Sequence, residues 1–262
     1  MTHIHIDQVH KVYASQGREV VALQNIQLSI AQGEFVCLLG PSGCGKSTLL
    51  NAVAGFSLPS SGAIRVGDAV VRAPGPDRGM VFQEYALFPW MTVARNIAFA
   101  MEVQDRATRK SPTDIAARVD DLLDVFKLRD FRDRFPKDLS GGMRQRVAIA
   151  RVLAMDSPVM LMDEPFGALD ALTRRSLQDE LLRIWQRFGK TVLFVTHSIE
   201  ESIYLADRII VMTYRPGTIK RDQHVDLPRP RDPADPAFNA LKRELGALVM
   251  TEQQRHEAQE AV

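Results

Sequence analysis

An α/β fold with a β-rich start and a helical block inserted between its two halves is predicted by three observations. Phe35 to Leu39 is a short unbroken apolar run, as a buried parallel strand requires; it passes through the glycine-rich stretch GPSGCGKST into a helical pattern over Lys46 to Ala54 that Gly55 stops. Further short strands are expected at Gly79 to Phe82, Val159 to Met162, Thr191 to Val195 and Arg208 to Met212, several ending in polar residues. From Thr92 to Met155 the periodicity is helical, which reads as an inserted subdomain.

The glycine-rich stretch comprises Gly40, Pro41, Ser42, Gly43, Cys44, Gly45, Lys46, Ser47 and Thr48, and it fits the pattern G-x-x-x-x-G-K-[ST]. Glycines at 40, 43 and 45 are expected to take positive φ, so that successive backbone N–H groups point into one concavity that suits a polyphosphate. Lys46 would reach the β- and γ-phosphates. The partial positive charge of the helix start adds to the same pocket, and Ser47 sits where its hydroxyl can ligate magnesium. The predicted core is therefore that of a phosphate-loop NTPase.

Composition bounds the rest. The 262 residues suffice for one large domain with an insertion, and 33 Lys and Arg against 32 Asp and Glu leave a formal charge of +1. Nucleic-acid binding rests on neutralising phosphates with a basic face, so that role is disfavoured. Two cysteines, Cys37 in the buried strand and Cys44 in the loop, make no disulfide framework and point to a reducing, cytoplasmic compartment. MTHIHIDQVH lacks the basic then apolar pattern of a signal, and no apolar run reaches the ~18 residues of a membrane span. Any membrane link would run through a partner.

In chain order, His3 to Val9 alternates as a half-exposed strand, with Ile4 and Ile6 on one face and His3, His5 and Asp7 on the other. The His-x-His pair has no third ligand in view, which favours a solvated face over a metal site. Tyr13 follows, placed either to pack in the strand or to stack on adenine; a polar turn at Gln16 and Gly17 then leads to a strand from Val20 to Ile30. Gly62 to Val71 reads as a hairpin turning at Gly67-Asp68. Gln83 ends the next strand and is either a loop residue or an amide that reaches magnesium or the attacking water. Leu87-Phe88-Pro89-Trp90-Met91 is an apolar cluster, core or interface.

Helices are expected over Val93 to Val103, Asp114 to Phe126 and Met143 to Met155. In Leu139-Ser140-Gly141-Gly142, Ser140 is a good N-cap, and the glycines expose N–H groups at a helix start, either an ordinary cap or a second anion site. Val159 to Met162 ends in Asp163-Glu164-Pro165. Ligands bind off the carboxyl ends of strands in open α/β sheets, so Asp163 is placed to hold magnesium with Ser47 and Glu164 to polarise water. Asp170 lies on a short loop before a helix at Ala171 to Phe188, and His197 follows a buried strand as a candidate γ-phosphate contact. Beyond Arg215, Pro228, Pro230, Pro233 and Pro236 suggest a stiff linker, followed by a helix whose Phe238, Leu241, Leu245, Leu248 and Val249 share one face.

GPSGCGKST, Gln83, LSGGM, VMLMDE, GALD and His197, in this order, resemble the ATP-binding-cassette ATPases over residues 3 to about 215. The resemblance implies ATP and Mg2+ as cofactors, with Tyr13 stacking adenine, Gly40 to Thr48 as Walker A, Gln83 as the Q-loop and Asp163 as the Walker B aspartate. It makes Glu164 the general base, Asp170 the D-loop acid and His197 the switch histidine. Ser140, Gly141 and Gly142 would bind the γ-phosphate held by a second copy in a head-to-tail homodimer. Met143 stands where the usual signature has Gln. The implied organisation is a cassette over 3–215, a helical subdomain at about 88–157, and a Pro-rich linker with an amphipathic helix over 216–262.

PGPDRGMVFQEYALFPWMTVARNIAF, DEPFGALDALTR and MTYRPGTI are most similar to the ATPase subunits of nitrate, sulfonate and taurine importers. That similarity implies integral membrane permease subunits, a periplasmic or extracellular solute-binding protein and a peripheral position at the cytoplasmic face of the inner membrane. The segment Gln83 to Met91 would then face a permease. A non-transport cassette acting on nucleic acid or ribosomes would carry a basic face or tandem cassettes, and a phosphoryl transferase has no use for the helix start at Ser140.

Overall fold

The computed structural model describes residues 2–15, 18–103 and 111–260; the turn expected at Gln16 and Gly17 lies outside them. In chain order the elements are β1 (Thr2–Ser15), β2 (Arg18–Ala31), β3 (Phe35–Leu39), α1 (Lys46–Ala54), β4 (Ser61–Val66), β5 (Ala69–Val70), β6 (Arg78–Val81), α2 (Val93–Glu102), α3 (Pro112–Val125), α4 (Gly141–Ala154), β7 (Val159–Asp163), α5 (Ala171–Phe188), β8 (Thr191–Thr196), α6 (Ile199–Leu205), β9 (Arg208–Met212), β10 (Ile219–His224) and α7 (Pro236–Glu260). The chain divides into two compact units, Met1–Gly75 with Gly189–Val262, and Pro76–Phe188.

The first unit holds an antiparallel sheet in the order β2-β1-β4-β5 and a run of strands β10-β9-β3-β8. Every residue of β3 is buried, because β8 and β9 flank it in parallel and helices cover the strands. Ile4 and Ile6 are fully buried, as the alternation predicts. His3 Nδ1 lies 2.6 Å from Thr191 Oγ1 and His5 Nδ1 2.9 Å from Ser29 Oγ, so both rings are engaged by hydroxyls. The hairpin turns at Gly67, whose φ of 55° suits the turn.

Beyond Arg215 the chain does more than link. β10 pairs antiparallel with β9, and α7 packs on α6 and β9, burying Phe238 and Leu245. Phe238 and Leu245 of the terminal stripe are therefore spent on its own unit, while Leu241, Leu248 and Val249 are half-buried. Arg231 is 5% exposed, and its guanidinium donates to the carbonyls of Ile203 and Ala206, both at 2.6 Å, and of Val225 at 3.1 Å and Leu227 at 3.0 Å. The carbonyls at the end of α6 have no helical partner, and Arg231 supplies it. Burial pushes the guanidinium down to about 10, so it stays charged at neutral pH. Arg231→Ala would leave several buried carbonyls unpaired; chemical denaturation should report a loss of about 3 kcal/mol.

The second unit pairs β6 with β7 in parallel; α4 packs on β6, and α2, α3 and α5 pack on α4. α3 begins with a capping box in which the Ser111 side chain accepts from Asp114 N–H at 3.2 Å and Asp114 accepts from Ser111 N–H at 3.3 Å. Its Ile115, Val119, Leu122 and Leu123 are buried at helical spacing, as expected. α4 starts at Gly141, two residues earlier than anticipated: both signature glycines lie inside the first turn, and Ser140 accepts from Met143 N–H at 3.3 Å.

Candidate nucleotide site

In the first unit, three strand ends deliver polar groups to one edge. β3 is in parallel register with β8 and β9, pairing Leu39 with Thr196 and with Val211, so Gly40, His197 and the Thr213–Thr218 turn leave the strands at the same carboxyl end. Gly43 and Gly45 take φ of 75° and 101°, the left-handed region that lets the chain curl without strain. Gly40 departs from expectation, for its φ is not positive. It is confined by close approach instead: a Cβ there would lie 2.8 Å from Cys44 Sγ and 3.1 Å from Met212 O. A Cβ at Gly45 would meet Leu23 Cδ2 at 2.8 Å and Ala22 O at 3.0 Å, so β2 braces the loop.

Lys46 is 5% exposed; its Nζ donates to Gly40 O at 2.8 Å and Pro41 O at 2.9 Å. An ammonium has three donors, and among the described residues the third approaches only Cys44 Sγ at 3.9 Å, a weak acceptor that a phosphate oxygen would outcompete. The loop therefore fits a polyphosphate, with a fixed cation, a helix start and glycine N–H groups. Burial raises the Cys44 thiol above its usual range against the opposing charge of Lys46, so it stays neutral and is no nucleophile. Ser47 is the second residue of α1, and His197 is exposed just beyond β8. Tyr13 is 42% exposed rather than packed in the core, with Lys11 Nζ 5.0 Å from its ring centre, so part of its surface remains open.

In the second unit, the pairing of Val81 with Met162 sends Gln83 and the acids Asp163 and Glu164 off one edge. Glu164 has a φ of 42°, a costly conformation for a non-glycine residue. A Cβ at Gly167 would make only ordinary contacts, 3.5 Å to Glu164 O and 3.9 Å to both Gln83 Nε2 and Glu164 Oε2, which places amide and carboxylate on the same side of this turn. The start of α4 lies against the Asp170 loop: a Cβ at Gly141 would meet Leu169 Cδ2 at 3.2 Å, and one at Gly142 would meet Thr173 Cγ2 at 2.7 Å. Asp170 accepts from Thr173 N–H at 3.0 Å; that hydrogen bond lowers its carboxyl pKa and starts α5.

Arg151 was not anticipated. From α4 it donates to Ala86 O at 2.7 Å and Tyr85 O at 3.1 Å, holding the loop after Gln83, where Tyr85 and Ala86 take φ of 62° and 48°. Burial lowers its pKa. Nearby, Asn96 is fully buried; it accepts from Phe88 N–H at 2.9 Å and donates to the carbonyls of Phe88, Met91 and Thr92 at 3.1, 3.0 and 3.1 Å. Trp90 is 69% exposed on this pinned loop, its ring centre 5.6 Å from that of Phe88. The aromatic cluster is thus a fixed surface feature rather than core.

An α/β core with a lysine-bearing glycine loop, and an acid pair closing a buried strand beside a capped glycine helix start, define a phosphate-loop ATPase of the cassette type. The family model for ABC transporters matches residues 23–167, and the chain belongs to that family. It is 46% identical to the nitrate import ATP-binding protein NrtD of Synechocystis over 92% of this chain and 90% of that protein. It is 44% identical to the aliphatic sulfonates import ATP-binding protein SsuB of Bacillus subtilis over 89% of each, and 46% identical to the taurine import ATP-binding protein TauB of Jannaschia over 89% of this chain and 88% of that protein. Among solved structures, a dimeric ATP-binding cassette in a post-hydrolysis state bound to ADP and Pi superposes with a TM-score of 0.75 at 32% identity, over 86% of this chain and 99% of that one. The chain binds and hydrolyses ATP.

Proposed function

We propose that the chain energises import of nitrate, a sulfonate, taurine or a similar small solute, acting as a head-to-tail homodimer on integral membrane permease subunits at the cytoplasmic face of the inner membrane. A periplasmic or extracellular solute-binding protein delivers the solute, and no nucleic acid takes part. The observation that carries this reading is that relatives matched over about nine-tenths of both chains are named import ATP-binding proteins. No helix among the described residues is long and apolar enough to cross a membrane, which leaves the span to a partner.

In this reading the cassette occupies 3–215, with its helical subdomain at about 88–157, and 216–262 is an appended segment. Gly40 to Thr48 cradle the phosphates and Tyr13 stacks on adenine. Ser47, Gln83 and Asp163 would supply oxygen donors of the kind Mg2+ takes, and the ion would offset the charge of the phosphates. Glu164 receives the proton of the attacking water and His197 contacts the γ-phosphate, while Ser140, Gly141, Gly142 and Asp170 serve the site shared with the second copy.

The test is to isolate the chain from its native membrane and identify what accompanies it; permease subunits are expected. Phe88 and Trp90 are placed to carry that contact. Trp90→Ser, a change at an exposed position, should leave ATP binding and circular dichroism unchanged but cost about 2 kcal/mol of association, roughly thirtyfold. Phe88→Ser should act in the same direction. Insoluble Trp90→Ser protein would mean that the cluster is core.

A further inference from the structure

Arg215 lies within MTYRPGTI but was given no role there, yet it touches the tip of the phosphate loop. Its Nε donates to Gly43 O at 3.1 Å, and a Cβ at Gly43 would lie 3.5 Å from Arg215 Nη2 and 3.9 Å from Tyr214 Cε2. The peptide that follows Gly43 is planar and trans, so anchoring its carbonyl on one side aims Cys44 N–H to the other. That N–H points into the loop, where Pro41 O is 3.4 Å away, a long contact that a phosphate oxygen would improve on. Gly43 has the freest backbone of any residue type, so the direction of this donor depends on what holds the carbonyl.

The residues around Arg215 are themselves fastened. Thr213 Oγ1 accepts from Thr218 N–H at 2.9 Å and donates to Pro216 O at 2.9 Å, closing the turn between β9 and β10. Gly217 donates to Ala22 O at 3.0 Å and accepts from Gln24 N–H at 2.9 Å, tying the turn to the strand that braces Gly45. From α7, the fully buried Glu252 accepts from Tyr214 N–H at 2.9 Å, Lys220 Nζ at 2.6 Å and Arg255 at 3.1 Å, and the ring of His256 lies 4.2 Å from that of Tyr214. Burial works against the Glu252 charge, but the hydrogen bonds from Lys220 and Tyr214 outweigh it and hold the carboxyl below its usual range.

We infer that Arg215 is a positioning residue for the phosphate loop, orienting the Cys44 N–H donor through the Gly43 carbonyl, and that Glu252 of the C-terminal helix anchors it through Tyr214. The inference rests on Gly40 to Thr48 being the nucleotide site. It gives α7 a role in nucleotide affinity beyond burying its own apolar stripe.

The experiment measures ATP and AMP affinity of the full chain by competition against a fluorescent ATP analogue. The variants are Arg215→Ala, Arg215→Lys, Glu252→Gln, the double variant Arg215→Ala with Glu252→Gln, and Lys46→Ala. Arg215→Ala should weaken ATP about tenfold, about 1.4 kcal/mol, and leave AMP, which lacks the β- and γ-phosphates, within about twofold. Arg215→Lys should recover part of the loss. Glu252→Gln should show a smaller loss for ATP alone, and the double variant should be no worse than Arg215→Ala, since the two act in series. ATP binding by Arg215→Ala at wild-type strength, or an equal loss of ATP and AMP, would overturn the positioning role. Additive losses in the double variant would overturn the link to α7. Wild-type ATP affinity in Lys46→Ala would instead remove the nucleotide-site reading on which the inference stands.

Discussion

Lys46→Ala should abolish ATP hydrolysis and weaken ATP binding by roughly a hundredfold, the loss expected when a charged hydrogen-bond donor worth about 3 kcal/mol is removed from a phosphate. The magnitude follows from how the loop is built. Lys46 is held at 5% exposure by two loop carbonyls, so its charge acts where water screens it little. Arg215, a second cation touching the loop, has its Nε committed to the Gly43 carbonyl. The measurements are phosphate release at saturating ATP and calorimetric titration of the purified chain. Because Lys46 replaces no apolar core contact, the variant should fold, and near-normal turnover would end the assignment of Gly40 to Thr48 as the catalytic loop.

What was legible in the chain before its structure depended on whether the signal was local. β3 and α1 begin and end where an apolar run and a stopping glycine place them, and α5 and β9 also match their expected bounds. β10 was missed because Ile219–His224 reads IKRDQH, with no alternation to announce a strand; it exists because the edge of β9 offers a ladder. α6 was missed although Ser198 and Glu201 stand at the spacing of a capped helix start, and Ser198 does accept from Glu201 N–H at 3.3 Å. At seven residues it was too short to show a period.

Residues that brace loops and helix ends were harder to read than residues that stand in motifs. Gly40 to Thr48, Asp163, Glu164 and Ser140 carry their chemistry in a motif, and each lies at a strand end or helix start where such chemistry is possible. Arg151, Arg215 and Arg231 look like ordinary solvated charges in one dimension. Arg151 and Arg215 find their carbonyl partners 65 and 172 residues away, and Arg231 caps a helix that precedes it by 25 or more positions. Glu252 is read in the same way as a surface acid of a long helix until Tyr214 and Lys220 are seen to enclose it. Pairings of this kind follow from topology, which sequence periodicity does not encode.

Glu164→Gln should slow turnover by about 10²–10⁴, the contribution typical of a general base, while ATP binding survives. The substitution keeps shape and hydrogen-bonding reach and removes only the ability to take a proton, so the left-handed backbone at Glu164 and its carbonyl bond from Gly167 N–H at 3.1 Å should persist. Ser140 caps α4 from an exposed position by accepting from Met143 N–H, and a helix start of this kind suits a phosphate presented by a second copy. If that copy's ATP is what the helix start grips, ATP joins the two chains and hydrolysis releases them. A slow enzyme then accumulates as a dimer. Light scattering on the Glu164→Gln chain should find a dimer with ATP and a monomer with ADP. Adding Ser140→Arg should abolish the dimer, because the new side chain fills the space in front of the helix start and loses the cap. A dimer that ignores the nucleotide, or one that survives the arginine, would refute the shared site, and full turnover in Glu164→Gln would move the base to another residue.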